Sequence, residues 1–185
     1  MRIRYNSPVI LTFTIASAVI LLLDGALGLG LIPRFFIVYP DFDGSALSFI
    51  RLLTHVLGHQ NWAHLLGNFA FILLIGPILE EKYRSAPLML MVLITALTTG
   101  ILNVLLFPTA LMGASGIVFM LILLSSFTNF RAGEIPITFI LIVVLFLTKE
   151  LTDVFTNDNI SQFAHIMGGI CGSAFGFLFI RGRRA

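Results

Sequence analysis

Charge is what this sequence has least of: Asp, Glu, Lys and Arg make up 11% of its 185 residues, while 58% are apolar. Soluble domains carry roughly a quarter charged residues, so the balance excludes a soluble globule and places the chain in a bilayer. Cysteine is scarcer still. Cys171 is alone within an apolar run, which rules out a disulfide framework or a thiolate metal cluster and leaves it as a small packing residue. Basic excess is also small, with a formal net charge of +2 spread over short loops, and this removes nucleic acid as a partner. No Ser/Pro-rich linker, low-complexity tract or repeat divides the chain, so residues 1–185 are expected to form a single polytopic membrane domain. The apolar N-terminal run to about Leu23 ends in no clear small-residue cleavage site, which favours a retained first span over a signal peptide.

Long apolar runs are what the sequence does have. A spanning helix needs roughly 20 mainly apolar residues, and six stretches qualify, at about 8–32, 62–79, 86–107, 114–130, 135–151 and 161–180. These predict an all-α membrane protein with six transmembrane helices. Asp24 interrupts the first, in a Gly-rich outer end. The fourth and fifth are short. A helix of about 16 residues covers only ~24 Å, so such a span must begin or end inside the hydrocarbon layer or thin the membrane around it.

Loop lysines and arginines set the orientation. With the N-terminus inside, the inner segments hold Arg2, Arg4, Lys82, Arg84, Arg131, Arg181, Arg183 and Arg184, and the outer ones only Arg34, Arg51 and Lys149. Both termini are therefore expected in the cytoplasm, with Asp41, Asp43, Asp153 and Asp158 outside. The outer segment from Pro33 to Trp62 is too long to be structureless. From Ser45 to Gly58 its apolar residues recur at helical spacing, and Ser48, Arg51 and His55 form a polar line. That pattern predicts an interfacial helical hairpin after the first span, whose plainest role is to brace the spans.

Polar groups within spans are costly, so each is a candidate for function until a structural partner is found. All four histidines, His55, His59, His64 and His165, fall at the outer membrane edge. His64 and Asn68 are four apart and share one face of the second span, either as interhelical glue or as donors facing a site. Ser115 lies in Gly113-Ala114-Ser115-Gly116 at the start of the short fourth span, where first-turn N–H groups lack helical partners and could stabilise an oxyanion. Small residues also serve plain helix packing. His165 stands before Gly168 and Gly172, a strip that permits close helix approach. A tight approach of the fourth and sixth spans would bring His165 to Ser115, within the ~3 Å that proton transfer needs.

The run from Arg51 through His55, His59 and His64 to Asn68, the Gly113–Gly116 box and the His165–Gly172 strip together resemble the rhomboid intramembrane proteases. They stand in that family's order, on its expected spans, over nearly the whole chain. The resemblance implies a six-span rhomboid-like bundle acting as an intramembrane serine endopeptidase. Ser115 would be the nucleophile and His165 the general base, a dyad without the orienting carboxylate of a triad. His64, Asn68 and the Ser115 backbone N–H would form the oxyanion hole. Gly113 would shape the serine loop, with Gly116, Phe119, Gly168 and Gly172 in support. Arg51 and His59 match family positions of structural role, and Glu80 matches a glutamate near the inner end of the second span. Phe119 departs from the tyrosine common at its position, keeping the ring that packs on the base and losing the hydroxyl.

Implied substrates are single-span or other transmembrane proteins, cut where a helix unwinds near the outer surface in contact with the lipid bilayer. A site open to the outer face, lined by His64, Asn68 and the hairpin's polar line, would admit water. No cofactor or metal is expected. The lack of a eukaryotic targeting extension favours a bacterial inner (plasma) membrane. Two rivals are a metal-binding membrane protein using His55, His59, His64 and His165, and a catalytically silent relative that binds membrane proteins. The zinc-protease pattern needs a glutamate directly after the first histidine, where this chain has Val56 and Gln60. Silent relatives typically lack the serine or the histidine.

Overall fold

A computed structural model describes residues 4–127 and 159–182, together with positions 137, 140, 141, 144, 145 and 148 between them. Among the described residues the regular structure is helical apart from an isolated antiparallel bridge between Val38 and Leu111. Four helices are long and apolar enough to cross a membrane: α1 (Pro8–Leu27), α4 (Trp62–Tyr83), α5 (Ser85–Leu106) and the 162–179 stretch of α7 (Asn159–Gly182). Between α1 and α4 lie α2 (Leu31–Phe35), α3 (Ala46–Thr54) and a 3-10 turn (His55–Leu57). α6 (Ser115–Ser126) follows α5. The expected fifth span at 135–151 lies largely outside the described residues, as do Arg2, Arg131, Lys149, Asp153, Asp158, Arg183 and Arg184. Its described positions Ile137, Ile140, Leu141, Val144 and Leu145 are helical and exposed, at the spacing of one helix face.

α1 is 20 residues long with Pro at its first turn, where the missing N–H costs nothing. At 1.5 Å per residue it spans ~30 Å, the thickness of the hydrocarbon layer. It stops at Leu27 rather than near residue 32 because Gly28 takes φ 59° as a left-handed C-cap, its N–H bonded to the Asp24 carbonyl. Asp24 does more than interrupt the span. Its carboxylate accepts the Leu31 and Ile32 N–H groups, which caps α2 and turns the chain at the end of α1.

The end of the bundle at which α1 begins is tied by Glu80, only 4% exposed. One carboxylate oxygen accepts Val9 N–H at 3.0 Å and Ser85 Oγ–H at 2.7 Å, and the other accepts Ile10 N–H at 3.0 Å. A buried negative charge is thus matched to the positive N-terminus of α1. Glu80→Ala should lower stability by about 3 kcal/mol, because two buried amides lose a charged acceptor, whereas Glu81→Ala on the exposed side should stay within ~0.5 kcal/mol. Reversible unfolding in mixed micelles would measure both.

α3 carries Ser45 as its N-cap, accepting Ser48 N–H at 3.2 Å. Its Phe49, Ile50 and Leu53 are exposed, while Ser48 and His55 are buried. Ser48 and His55 therefore point into the protein and not toward an open cavity, contrary to expectation, whereas Arg51 is half-buried. Each member has a partner: Ser48 bonds Asp43 and Ser45, Arg51 Nε–H donates to the Arg34 carbonyl, and His55 bonds the Arg51 carbonyl. The apolar face is left outward, which is the reverse of a soluble amphipathic helix.

α6 is the centre of the bundle. It has 12 residues, ~18 Å of helix, and Ile117, Met120, Leu121 and Leu124 are no more than 1% exposed. A helix apolar on all sides belongs inside, and α6 packs against α4, α5 and α7. Ser115 is its first residue, so the serine stands where the preceding loop enters the bundle.

Candidate functional site

The loop from Phe107 to Ala114 carries the chain into α6, and it is held at successive points. Asn103 Nδ2–H donates to the Thr109 carbonyl at 2.8 Å. Val38 and Leu111 exchange backbone bonds at 3.0 and 2.9 Å, and Gly113 N–H donates to the His55 carbonyl at 3.0 Å. Ala114 N–H donates to His59 Nε2 at 3.4 Å. Three of these anchors come from the hairpin between α1 and α4, so bracing the serine loop is a physical task of that segment.

His64 and Asn68 face this loop from α4, whose N-cap Asn61 accepts His64 N–H at 2.8 Å. A β-carbon on Gly113 would fall 2.8 Å from His64 Cε1, 2.9 Å from its Nε2 and 3.9 Å from Asn68 Nδ2. Gly113 also has φ +115°, a region closed to most side chains. Glycine is thus required twice over. Asn68 is 9% exposed, and its buried Nδ2 has no hydrogen-bond partner among the described residues. An unpaired buried amide costs about 1–3 kcal/mol, and Asn68 is one of six side chains with such an atom among the described residues.

α7 approaches α6 along its glycines. A β-carbon on Gly168 would overlap the Gly116 carbonyl oxygen, one on Gly172 the Met120 carbonyl oxygen, and one on Gly176 the Phe127 ring. Gly116 in turn lies against the Ala164 carbonyl, 3.2 Å from where its own β-carbon would be. This backbone contact sets His165 beside the first turn of α6. Its ring stacks on Phe119, with centroids 4.4 Å apart and an interplanar angle of 36°. Ser115 is half-buried and His165 8% exposed.

His55 and His59 turn inward. His55 Nδ1–H donates to the Arg51 carbonyl at 3.3 Å, with Nε2 3.4 Å from Thr99 Oγ1. His59 Nδ1–H donates to the Leu57 carbonyl at 3.2 Å, and its ring lies 5.0 Å from that of His64 and 5.6 Å from Phe69. Burial lowers the pKa of each to about 4, helped at His59 by neighbouring His64. Both are neutral at pH 7. Asp43, bonded by Ser48 and Ser45, is held at about 2. Among the described residues no three His, Cys, Asp or Glu side chains are grouped to hold a metal ion.

Gly116, Phe119, His165, Gly168 and Gly172 thus meet at the α6–α7 contact, Ser115 begins α6 beside it, and Gly113 lies against His64 and Asn68. Sequence reading missed Gly176, which continues the four-residue spacing of Gly168 and Gly172 and was findable by it. It also missed the bond between His59 and Ala114, for which no local pattern exists.

Residues 46–182 match the family described as Rhomboid domain. Rhomboid protease GlpG of Haemophilus influenzae is 22% identical over 76% of this chain and 74% of its own length. Rhomboid-related protein 1 of Caenorhabditis elegans is 32% identical over 80% of this chain. The match takes in 44% of the nematode protein, so this chain spans less than half of that relative.

Proposed function

Because this chain belongs to the rhomboid family, we propose that it is an intramembrane serine endopeptidase cutting transmembrane proteins with a Ser115–His165 dyad. The chain is an integral membrane protein, and the reading completes it as a single six-span domain in a bacterial inner membrane. Both termini are cytoplasmic, and the site opens toward the outer face.

In this mechanism His165 takes the Ser115 hydroxyl proton as Oγ attacks the scissile carbonyl carbon. Negative charge develops on the carbonyl oxygen, where Asn68, His64 and the Ser115 N–H receive it. The imidazolium then gives its proton to the leaving amine, and an acyl ester remains on Ser115. Water, deprotonated by His165, releases the acid and restores the serine. The Phe119 ring, stacked on His165, helps to orient the base.

One observation carries the reading: the buried Asn68 Nδ2 next to Gly113 has no partner among the described residues, as a donor reserved for a transient oxyanion should be. The family also includes members without activity, and the presence of serine, histidine and this donor together favours catalysis over silent binding. Asn68→Ala is expected to lower kcat on a single-span substrate in detergent by about 10²–10³-fold, the usual cost of losing one oxyanion donor. A serine-reactive phosphonate should block cleavage and a strong chelator should leave it unchanged. Loss of cleavage on chelation would instead support a metal site.

A further inference from the structure

The anchors of the serine loop differ in kind. Those on Leu111 and Gly113 are backbone to backbone, and Asn103 acts at Thr109, several residues upstream. The bond adjacent to Ser115 is made by a side chain, Ala114 N–H to His59 Nε2 at 3.4 Å. It follows directly on Gly113, whose φ of +115° marks the most pliant backbone in the loop. A peptide plane beside such a glycine can rotate unless something outside the loop fixes it. His59 has the tautomer for this, since its Nδ1–H is spent on the Leu57 carbonyl and its Nε2 is left as an acceptor. Its ring is 0% exposed, so no water can take the place of the amide.

We infer that His59 is a positioning residue for catalysis: by accepting the Ala114 N–H it fixes the Gly113–Ala114 peptide, and with it the place of Ser115 Oγ and the direction of the Ser115 N–H. It also commits the Ala114 amide to the hairpin, leaving the Ser115 amide as the loop's donor to the oxyanion. This inference rests on the proteolytic reading above. It accounts for a neutral histidine kept 0% exposed behind the site, touching neither substrate nor base.

The bond has a pH consequence. Protonated His59 would present an N–H to the Ala114 N–H, donor against donor, and release the loop. The titratable group facing it is His64 on α4; Phe69, Leu57 and Ala114 supply its other described contacts, and the His55 ring points away to Thr99 on α5. The neutral form is favoured in the folded state, so the bond holds above about pH 4 and fails as pH falls through that value.

The test compares His59→Leu, which fills the volume without an acceptor, with His59→Gln, whose Oε1 can reach the position of Nε2 and does not titrate. Expected for His59→Leu is a fall in kcat on the order of 100-fold, the cost of displacing a reacting group by about 1 Å, with KM nearly unchanged. His59→Gln should restore most of it and remove the protonation near pH 4 from the acid limb of kcat. Full turnover in His59→Leu, or equal impairment in both, overturns the inference. Should His59→Leu not fold, ring ¹⁵N shifts of the full chain carrying Ser115→Ala decide: Nδ1 protonated and Nε2 bare at pH 7 supports it, and the opposite tautomer overturns it. Ser115→Ala separates the two levels. If it retains cleavage both readings fall, whereas an inactive Ser115→Ala with a fully active His59→Leu removes this one alone.

Discussion

Ser115→Ala is expected to abolish cleavage of a single-span substrate, with a loss of about 10⁴-fold or more in kcat, while leaving the fold intact. Ser115 is half-buried at the first position of α6. Its hydroxyl makes no hydrogen bond that α6 needs as a cap, since that place belongs to Ala114. Alanine is the best helix former and leaves only the volume of one oxygen behind, so the thermal midpoint should move little. His165→Ala should be equally inactive, and the double variant no worse than either, because the two groups act as a unit. Independent, multiplying losses would contradict the dyad.

Gly168→Val should be inactive for a different reason. Its β-carbon would overlap the carbonyl oxygen, carbonyl carbon and Cα of Gly116, all backbone atoms of α6 that no rotamer change can clear. α7 would have to move away from α6, taking His165 from Phe119 and opening the centre of the bundle. The loss of stability should exceed about 4 kcal/mol, in the range of severe overpacking, with activity lost alongside. Gly67 is the control: it lies on α4 with nothing within 4 Å of its β-carbon position, and Gly67→Ala should be neutral or slightly stabilising. Thermal unfolding in detergent separates Gly168→Val, which melts early, from Ser115→Ala, which does not.

The contrast also shows what a linear sequence can carry. α4, α5 and α7 start and end near the predicted spans because a bilayer demands an uninterrupted apolar run and tolerates no unpaired backbone. The end of α1 was harder to read: Gly28, bonded to the Asp24 carbonyl, stops the helix by capping geometry while the apolar run continues through Leu29 and Leu31. α6 was expected over 114–130, and its described residues are helical over Ser115–Ser126. The close approach of α7 to α6 was foreshadowed by the spacing of Gly168 and Gly172, a local pattern with a direct steric meaning. The inward turn of Ser48 and His55 was not, because hydrophobic periodicity fixes which residues share a face and not which face meets lipid. Nor could the His59–Ala114 bond be read, since it joins a side chain to a backbone amide across 55 residues and depends on the hairpin docking first.

The most direct test of the account is to treat the purified wild-type protein in detergent with a fluorophosphonate and locate the adduct by peptide mass. The account predicts one covalent adduct on Ser115, formed at a rate that His165→Ala reduces to background. Cleavage activity that survives with Ser115 unmodified, or an adduct on any other residue, would contradict it.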